Sequence, residues 1–511
     1  MNGNQYYKTN NKRIAKNTFY LYLRMLLVLV VSLFTVRIVL NSLGAEDYGI
    51  SNVVGGVVTM FAFLTSTLSS ASLRFFSYNI GKGDVDTLSR YFTMSFWCFS
   101  IMAAIIFLLT ETVGIWFLLT QLKIPEARMD AAIWVYQFAI LQFVFNILVI
   151  PYQSIVVAHE RMNMYAFVGV LECILKLIVA YCIYISPFDK LKTYSLMMFV
   201  MMSGINSFYI FYGLKHFPET VIRKYWNSKI FKEIANYSGW TLFGTLSGVF
   251  RSQGINILLN IFFNPIVNAA RAIAFQVNSQ INQFVLNFYK AVQPQITKSY
   301  GAGDVKGMLS LVYASSRFCF FLILIFSLPI LIETDYILTI WLKEVPENTV
   351  LFTRLVVITA IVDSTSYPLQ TSISATGKIK VFQIFTGGLL LLNLPVSWIF
   401  LYCGYPPEST MYVAIAISFF AQIFRLIFVH NNVGLSISIY FKEVVIPIVL
   451  VTSLSAIIPV YLYLGMQEGF TRLCIVGICS LLSTAVMIWS IGLTKKEKKQ
   501  LSTILLKKIN K

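Results

Sequence analysis

Residues 299–305 read SYGAGDV, and residues 77–85 read SYNIGKGDV. Gly83-Asp84-Val85 lies over Gly303-Asp304-Val305 at an offset of 220. A second echo has nearly the same offset. PYQSIVVAHERM (151–162) lies over PLQTSISATGKI (368–379), shifted by 217, with Pro151 on Pro368, Gln153 on Gln370, Ala158 on Ala375 and Arg161 on Lys378. Two polar segments repeated in one register point to a duplicated chain. Within each loop, Gly permits a sharp reversal after a helix and Asp can cap the next helix. A phosphate-cradling loop would need a following Lys-Ser/Thr and a strand-to-helix context. Neither is present, so nucleotide binding is not indicated.

The surrounding sequence sets the kind of protein in which this duplication occurs. The 511 residues are 57% hydrophobic and 12% charged, with mean hydropathy +0.72, whereas soluble domains carry about 25% charged residues. Apolar runs of about 20 residues, long enough to cross a hydrocarbon core, recur along the chain. They predict an all-α polytopic membrane protein of fourteen spans: 17–41, 48–73, 91–119, 130–157, 164–186, 193–214, 236–262, 267–289, 309–332, 350–375, 381–403, 410–430, 443–464 and 471–493. The ~10-residue alternating segments of a membrane barrel do not occur. Both echoes are displaced by six spans. An even displacement keeps the orientation, so the repeat is parallel, with its site expected at the interface between the halves. The expected organisation is an N-terminal lobe over 1–214, an amphipathic cytoplasmic linker over 215–235, a C-terminal lobe over 236–432, and two further helices with a basic tail over 433–511. The seven cysteines form no metal-type pair, and no disulfide framework is expected. No metal site or cofactor is predicted. The polar start leads into an apolar run too long for a signal peptide's apolar region.

The formal net charge of +18 is explained by where the cations lie. With both termini placed in the cytoplasm, 27 Lys and Arg are counted on the cytoplasmic side, among them Arg425 toward the inner end of its span, with 6 on the opposite side and the other 7 within spans. That bias follows the positive-inside rule and requires an even number of spans. The basic segments then serve orientation and contact with anionic lipids, and no nucleic-acid partner is expected. The segment HFPETVIRKYWNSKIFKE reads as a basic interfacial stretch anchored by Tyr225, Trp226 and Phe231.

Charges inside the bilayer are functional candidates, because each costs about 2.5–3.5 kcal/mol on insertion scales. Arg24 and Arg317 sit near cytoplasmic ends of their spans, and Arg37, Arg271 and Arg354 near outer ends, where each could snorkel to an interface. Glu172 and Lys176 are spaced for an i, i+4 pair. Arg251 and Asp363 are deepest and could pair with each other. Glu111 is placed near an outer end. In the eighth span, Arg271, Asn278 and Asn282 share one face, with Gln276, Gln280, Gln283 and Asn287 roughly opposite. A cationic, amide-lined cavity suits an anionic ligand carrying sugars, since Arg forks bind phosphate oxygens bidentately.

LNSLGAEDYGISNVVGGVVTMFAFL, FRSQGINILLNIFFNPIVNAARAIAFQV and AVQPQITKSYGAGD resemble bacterial polysaccharide repeat-unit flippases, the lipid-linked oligosaccharide (O-antigen) flippases of the multidrug/oligosaccharidyl-lipid/polysaccharide (MOP) export superfamily. The resemblance spans essentially the whole chain. It implies two six-helix lobes in a V around a central cavity, a place in the bacterial inner membrane, and no catalytic residues. It also implies movement of an undecaprenyl-diphosphate-linked oligosaccharide to the periplasmic leaflet, with polysaccharide polymerase or assembly proteins as further partners. Cationic cavity residues carried over by position are Arg251 and Arg271, with Arg24, Arg37 and Arg74 on the first lobe. Asp363 and Glu172 are candidates for coupling to a proton or sodium gradient. Two other readings stay open: a drug/cation antiporter of the same superfamily, which would favour an acidic cavity, and a membrane glycan polymerase or ligase, which would be expected to carry a sizeable outer loop with catalytic groups.

Overall fold

The computed structural model describes residues 3–59, 61–120, 124–263, 265–495 and 497–499, and every regular element among them is helical. The chain divides into two compact units, Arg13–Leu242 and Phe243–Lys511 with Met1–Lys12. The division falls inside one long helix, Ser228–Phe262. Among the described residues, nine helices are long and apolar enough to cross a membrane, or ten if one bent pair counts as a span.

The first unit is built from α1 (Gly3–Thr59), α2 (Ala62–Lys82), α3 (Val85–Leu109), α4 (Ile115–Thr120), α5 (Met129–Ala158), α6 (Met162–Ile185) and α7 (Lys190–His216). Helix α1 holds the first predicted span and the start of the second, separated by a kink at Gly44 with φ 80°. A π-helical turn, Thr110–Gly114, joins α3 to α4. The loop after α7 packs back onto α3 through hydrogen bonds from the Arg223 N–H to Thr93 and the Asn227 N–H to the Met94 sulfur. The predicted linker is therefore half loop, and from Ser228 it is already helix.

Helix α8 (Ser228–Phe262) crosses the division. The second unit continues with α9 (Pro265–Gly301), α10 (Val305–Ile332), α11 (Thr334–Leu342), α12 (Thr349–Ser364), α13 (Ser366–Thr376), α14 (Lys380–Leu391), α15 (Asn393–Tyr402), α16 (Ser409–Val433), α17 (Ile437–Tyr440), α18 (Ile446–Gly465) and α19 (Phe470–Met487). Over the described residues, each of the fourteen predicted spans falls on helix. Ser, Asn, Gln and Gly dilute α8 and α9, which is why neither is among the nine most apolar helices. The last two spans pack onto α10, with Val451 of α18 buried against Phe320, Phe321, Leu324 and Leu328.

The duplication is visible in local geometry. Gly83 (φ 73°) and Gly303 (φ 77°) both turn left-handed. Asp84 then accepts from the Thr87 N–H at 2.9 Å, and Asp304 from the Gly307 N–H at 2.8 Å. At the second echo the left-handed residues are Glu160 (φ 60°) and Gly377 (φ 78°), again 217 apart. The cores repeat too. Leu68, Phe99 and Ala103 form one buried cluster and Val285, Cys319 and Ile323 another, at shifts of 217, 220 and 220.

Candidate functional site

In the second unit, α12 breaks at Thr365 and α13 leaves at 41°. Pro368 has no N–H to continue the ladder, and side chains take over the freed groups. Ser366 Oγ donates to the Asp363 carbonyl at 2.6 Å, and Gln422 of α16 donates to Thr365 Oγ1 at 2.9 Å. The break holds the Asp363 carboxylate beside α16. There Ser418 Oγ donates to Asp363 Oδ2 at 3.3 Å, and Arg425 Nη1 lies 3.9 Å from Asp363 Oδ1.

Arg251 reaches the same place from α8, donating to the Ala414 carbonyl and Ser418 Oγ, each at 3.3 Å. The expected Arg251–Asp363 pair is thus indirect: Ser418 bridges it, and Arg425 is the direct ion partner. Arg271, from α9, is buried against the Phe275 ring at 4.3 Å and donates to Asn256. Its burial corrects the snorkelling alternative. Arg251 lies close enough to repel both Arg271 and Arg425. Two guanidinium groups, Arg251 and Arg425, therefore share one carboxylate with Arg271 beside Arg251, and Arg425 Nη1 and Arg271 Nε have no hydrogen-bond partner. Such donors suit an anion that supplies several acceptor oxygens.

Arg425, counted by position with the cytoplasmic cations and not among the candidate residues, is buried within α16. Its signal in the sequence is the polar stripe Ser418, Gln422, Arg425 at helical spacing. Asn278 and Asn282 lie further along α9, half-buried, with Asn282 Nδ2 donating to Asn278 Oδ1 at 2.7 Å. Of the other amide stripe, Gln276, Gln280 and Gln283 are exposed and Asn287 is half-buried. The cluster is not duplicated, because Asn146 stands 217 residues before Asp363.

The first unit holds a smaller charged group. Arg24 of α1 lies over the Tyr165 ring at 4.7 Å, with its Nε buried and unpartnered. Gly169 makes room for it, since a methyl group there would overlap the guanidinium. Glu172 and Lys176 pair at 2.6 Å as the spacing predicted. Arg74 is drawn away into an ion pair with Glu233 at 3.7 Å, over the Phe75, Tyr78 and Tyr237 rings. The Arg37 side chain lies outside the described residues. Arg317, the other snorkelling candidate near a cytoplasmic end, is buried and bound to Glu497 at 2.5 Å. Arg354 pairs with Asp335 at 2.7 Å.

No protein-family model and no curated protein matches the chain. Solved structures do. A MATE in the bent conformation is 13% identical at TM-score 0.72, covering 83% of this chain and 96% of its own. An outward-facing multidrug-resistance MATE transporter of the MOP superfamily has the same identity and coverages at TM-score 0.70. A MOP superfamily transporter from Pyrococcus furiosus, described as having a binding pocket of reverse polarity that suggests a different function, is 13% identical at TM-score 0.65, covering 82% and 96%. The chain therefore has the fold of the MATE transporters of the MOP superfamily.

Proposed function

We propose that the chain is a flippase that carries an undecaprenyl-diphosphate-linked oligosaccharide from the cytoplasmic to the periplasmic leaflet of the bacterial inner membrane by alternating access, with both of its own termini in the cytoplasm. The observation that carries this reading is the run of guanidinium groups Arg271, Arg251 and Arg425, of which only the last two meet the single carboxylate of Asp363. Moving a diphosphate through hydrocarbon unaided costs several kcal/mol or more per unpaired charge. Guanidinium groups with vacant N–H donors replace the water that the diphosphate loses. The exposed Gln276, Gln280 and Gln283 on α9 supply amides for sugar hydroxyls. Anionic lipids are partners of the basic loops, and polymerase or assembly proteins would receive the product.

The drug/cation antiporter is the second reading, favoured by the MATE likeness. Against it stands the excess of guanidinium over carboxylate, which repels an organic cation. The relative whose pocket polarity is reversed supports a fold whose cargo follows the sign of its pocket. The deciding measurement is leaflet exposure of a defined diphosphate-linked glycan in reconstituted vesicles. Arg251→Ala is expected to slow translocation about ten- to a hundredfold, as loss of one charge-assisted contact of about 1.5–3 kcal/mol implies. Arg251→Lys should retain part of the rate. Wild-type translocation by a folded Arg251→Ala protein would sink the proposal.

A further inference from the structure

A groove of about 580 Å³ runs along the first unit between α6 and α7. Val168, Leu175 and Ile178 of α6 face Val200, Gly204 and Phe208 of α7 across it, and the lining side chains are apolar throughout. The two helices are antiparallel and joined by residues 186–189. Val168 and Phe208 therefore mark one end of the groove, and Cys182 and Leu196 the other. From Val168 to Cys182 the chain advances fourteen residues, about 21 Å at 1.5 Å per residue. That volume over that length leaves about 28 Å² of cross-section. This is room for one extended hydrocarbon chain and not for the paired chains of a phospholipid. Gly204 opens the groove: among the described residues, a Cβ there would have no packed neighbour within 4 Å.

A cation stands at the Val168–Phe208 end. Arg24 of α1 lies over the Tyr165 ring at 4.7 Å and against Gly169, the residue after Val168. It is also within electrostatic reach of Tyr209, the residue after Phe208. Lys176, further along α6, is matched by Glu172 at 2.6 Å and adds no net charge. With both termini in the cytoplasm, the Arg24 end is the cytoplasmic one. Membrane lipid tails are as apolar as the groove, so a chain gains no hydrophobic free energy by leaving them for it. Shape and the charge at the head must hold the occupant. A single long chain with an anionic phosphate head in the cytoplasmic leaflet meets both conditions, its tail along the groove and its phosphate at the guanidinium.

We infer that the α6–α7 groove holds the polyprenyl chain of a diphosphate-linked lipid, with Arg24 on the phosphate nearest the chain. That this lipid is the transported cargo rests on the flippase reading, whereas the chain site does not, and two readouts keep them apart. The first is photolabelling of the full-length protein in vesicles of phosphatidylethanolamine and phosphatidylglycerol. The probe is sugar-free undecaprenyl diphosphate with a diazirine among the isoprene units next to the diphosphate. Light should attach it to α6 and α7, and unlabelled undecaprenyl diphosphate should compete where added phosphatidylglycerol does not. Gly204→Phe fills the groove without displacing a neighbour and should cut the labelling about tenfold, as overpacking an occupied site implies. Gly204→Ala should keep most of it. Arg24→Gln should cut labelling by the diphosphate about tenfold or more, as loss of a charge-assisted contact implies. It should leave labelling by the uncharged polyprenol with the same diazirine unchanged. Labelling away from α6 and α7, competition by phosphatidylglycerol, or wild-type labelling of a folded Gly204→Phe protein overturns the chain site. Wild-type labelling of Arg24→Gln by the diphosphate overturns the placement of its head. The second readout is translocation of a diphosphate-linked glycan in the same vesicles, which Gly204→Phe should slow. A wild type that moves no glycan yet labels as expected removes the flippase reading and leaves the chain site standing.

Discussion

His159 and Glu219 show how single residues hold a loop to the bundle. His159 closes α5, with its Nε2 2.6 Å from Glu219 Oε1 and its ring stacked on Phe217 at 4.4 Å. Burial pushes the Glu219 carboxyl up, but hydrogen bonds from His159 and from its own backbone N–H, together with the His159 charge, bring it below the usual glutamate range. A carboxyl depressed by folding stabilises the protein above its ordinary value of about 4.3, and that contribution fades as pH falls through the depressed value. Thermal stability of the solubilised chain should therefore decline on acidification below about pH 5. Glu219→Gln should flatten that part of the curve, and an unaltered slope in the variant would show that the pair contributes nothing. At this scale the sequence was only partly legible. Glu172 and Lys176 sit one turn apart and could be paired on paper. His159 and Glu219 are sixty residues apart and could not.

At the scale of elements, the two copies of the repeat differ in informative ways. Gly377 ends α13 with φ 78°, while its counterpart Glu160 takes the same left-handed turn with a side chain. That conformation costs an ordinary residue about 1–2 kcal/mol, of which the loss of a glycine offsets about 0.4–1 kcal/mol through unfolded-state entropy. Gly377→Ala should thus destabilise the protein by ~0.5–1 kcal/mol, read as a lower melting temperature with unchanged glycan translocation. An unaltered melting temperature would show that the turn carries no strain for a side chain. The paired loops at Gly83-Asp84 and Gly303-Asp304 were legible because their chemistry is local. The π-helical turn in the third span was not. TETVG offers Gly114 as its one breaker, which a straight helix also tolerates, and the turn depends on Tyr136 arriving from another helix, against Gly114, to take the Thr110 carbonyl.

At the scale of the whole molecule, the C-terminal pair α18–α19 is bound to α10 at both of its ends. Arg317 of α10 donates to the Glu443 carbonyl before α18 at 2.7 Å and to Glu497 beyond α19 at 2.5 Å. Glu333, just past α10, receives a bidentate pair from Arg472 of α19 at 2.9 and 3.0 Å, and both residues are buried. The pair that reads as an appendage in the sequence is thereby made part of the second unit. Breaking a buried ion pair strands a charge, at about 3–5 kcal/mol, whereas replacing both partners with apolar groups is close to neutral. Arg472→Met and Glu333→Leu alone should each lower the melting temperature, and the double variant should recover most of the loss. Additive losses would show that the two side chains act independently.

The sequence by itself determined the helical passes, the parallel duplication and the excess of cations over acids inside the membrane. These follow from apolar run length and from loops whose geometry is settled within a few residues. Only the tertiary structure decided which charges meet. It drew Arg74 into an ion pair, buried Arg425 beside Asp363, and put Ser418 between Arg251 and that carboxylate. The physical reason is range. Helix formation in a bilayer is forced on each segment by its own backbone, whereas the partner of a buried charge comes from whichever helix packs beside it, tens or hundreds of residues away in the chain.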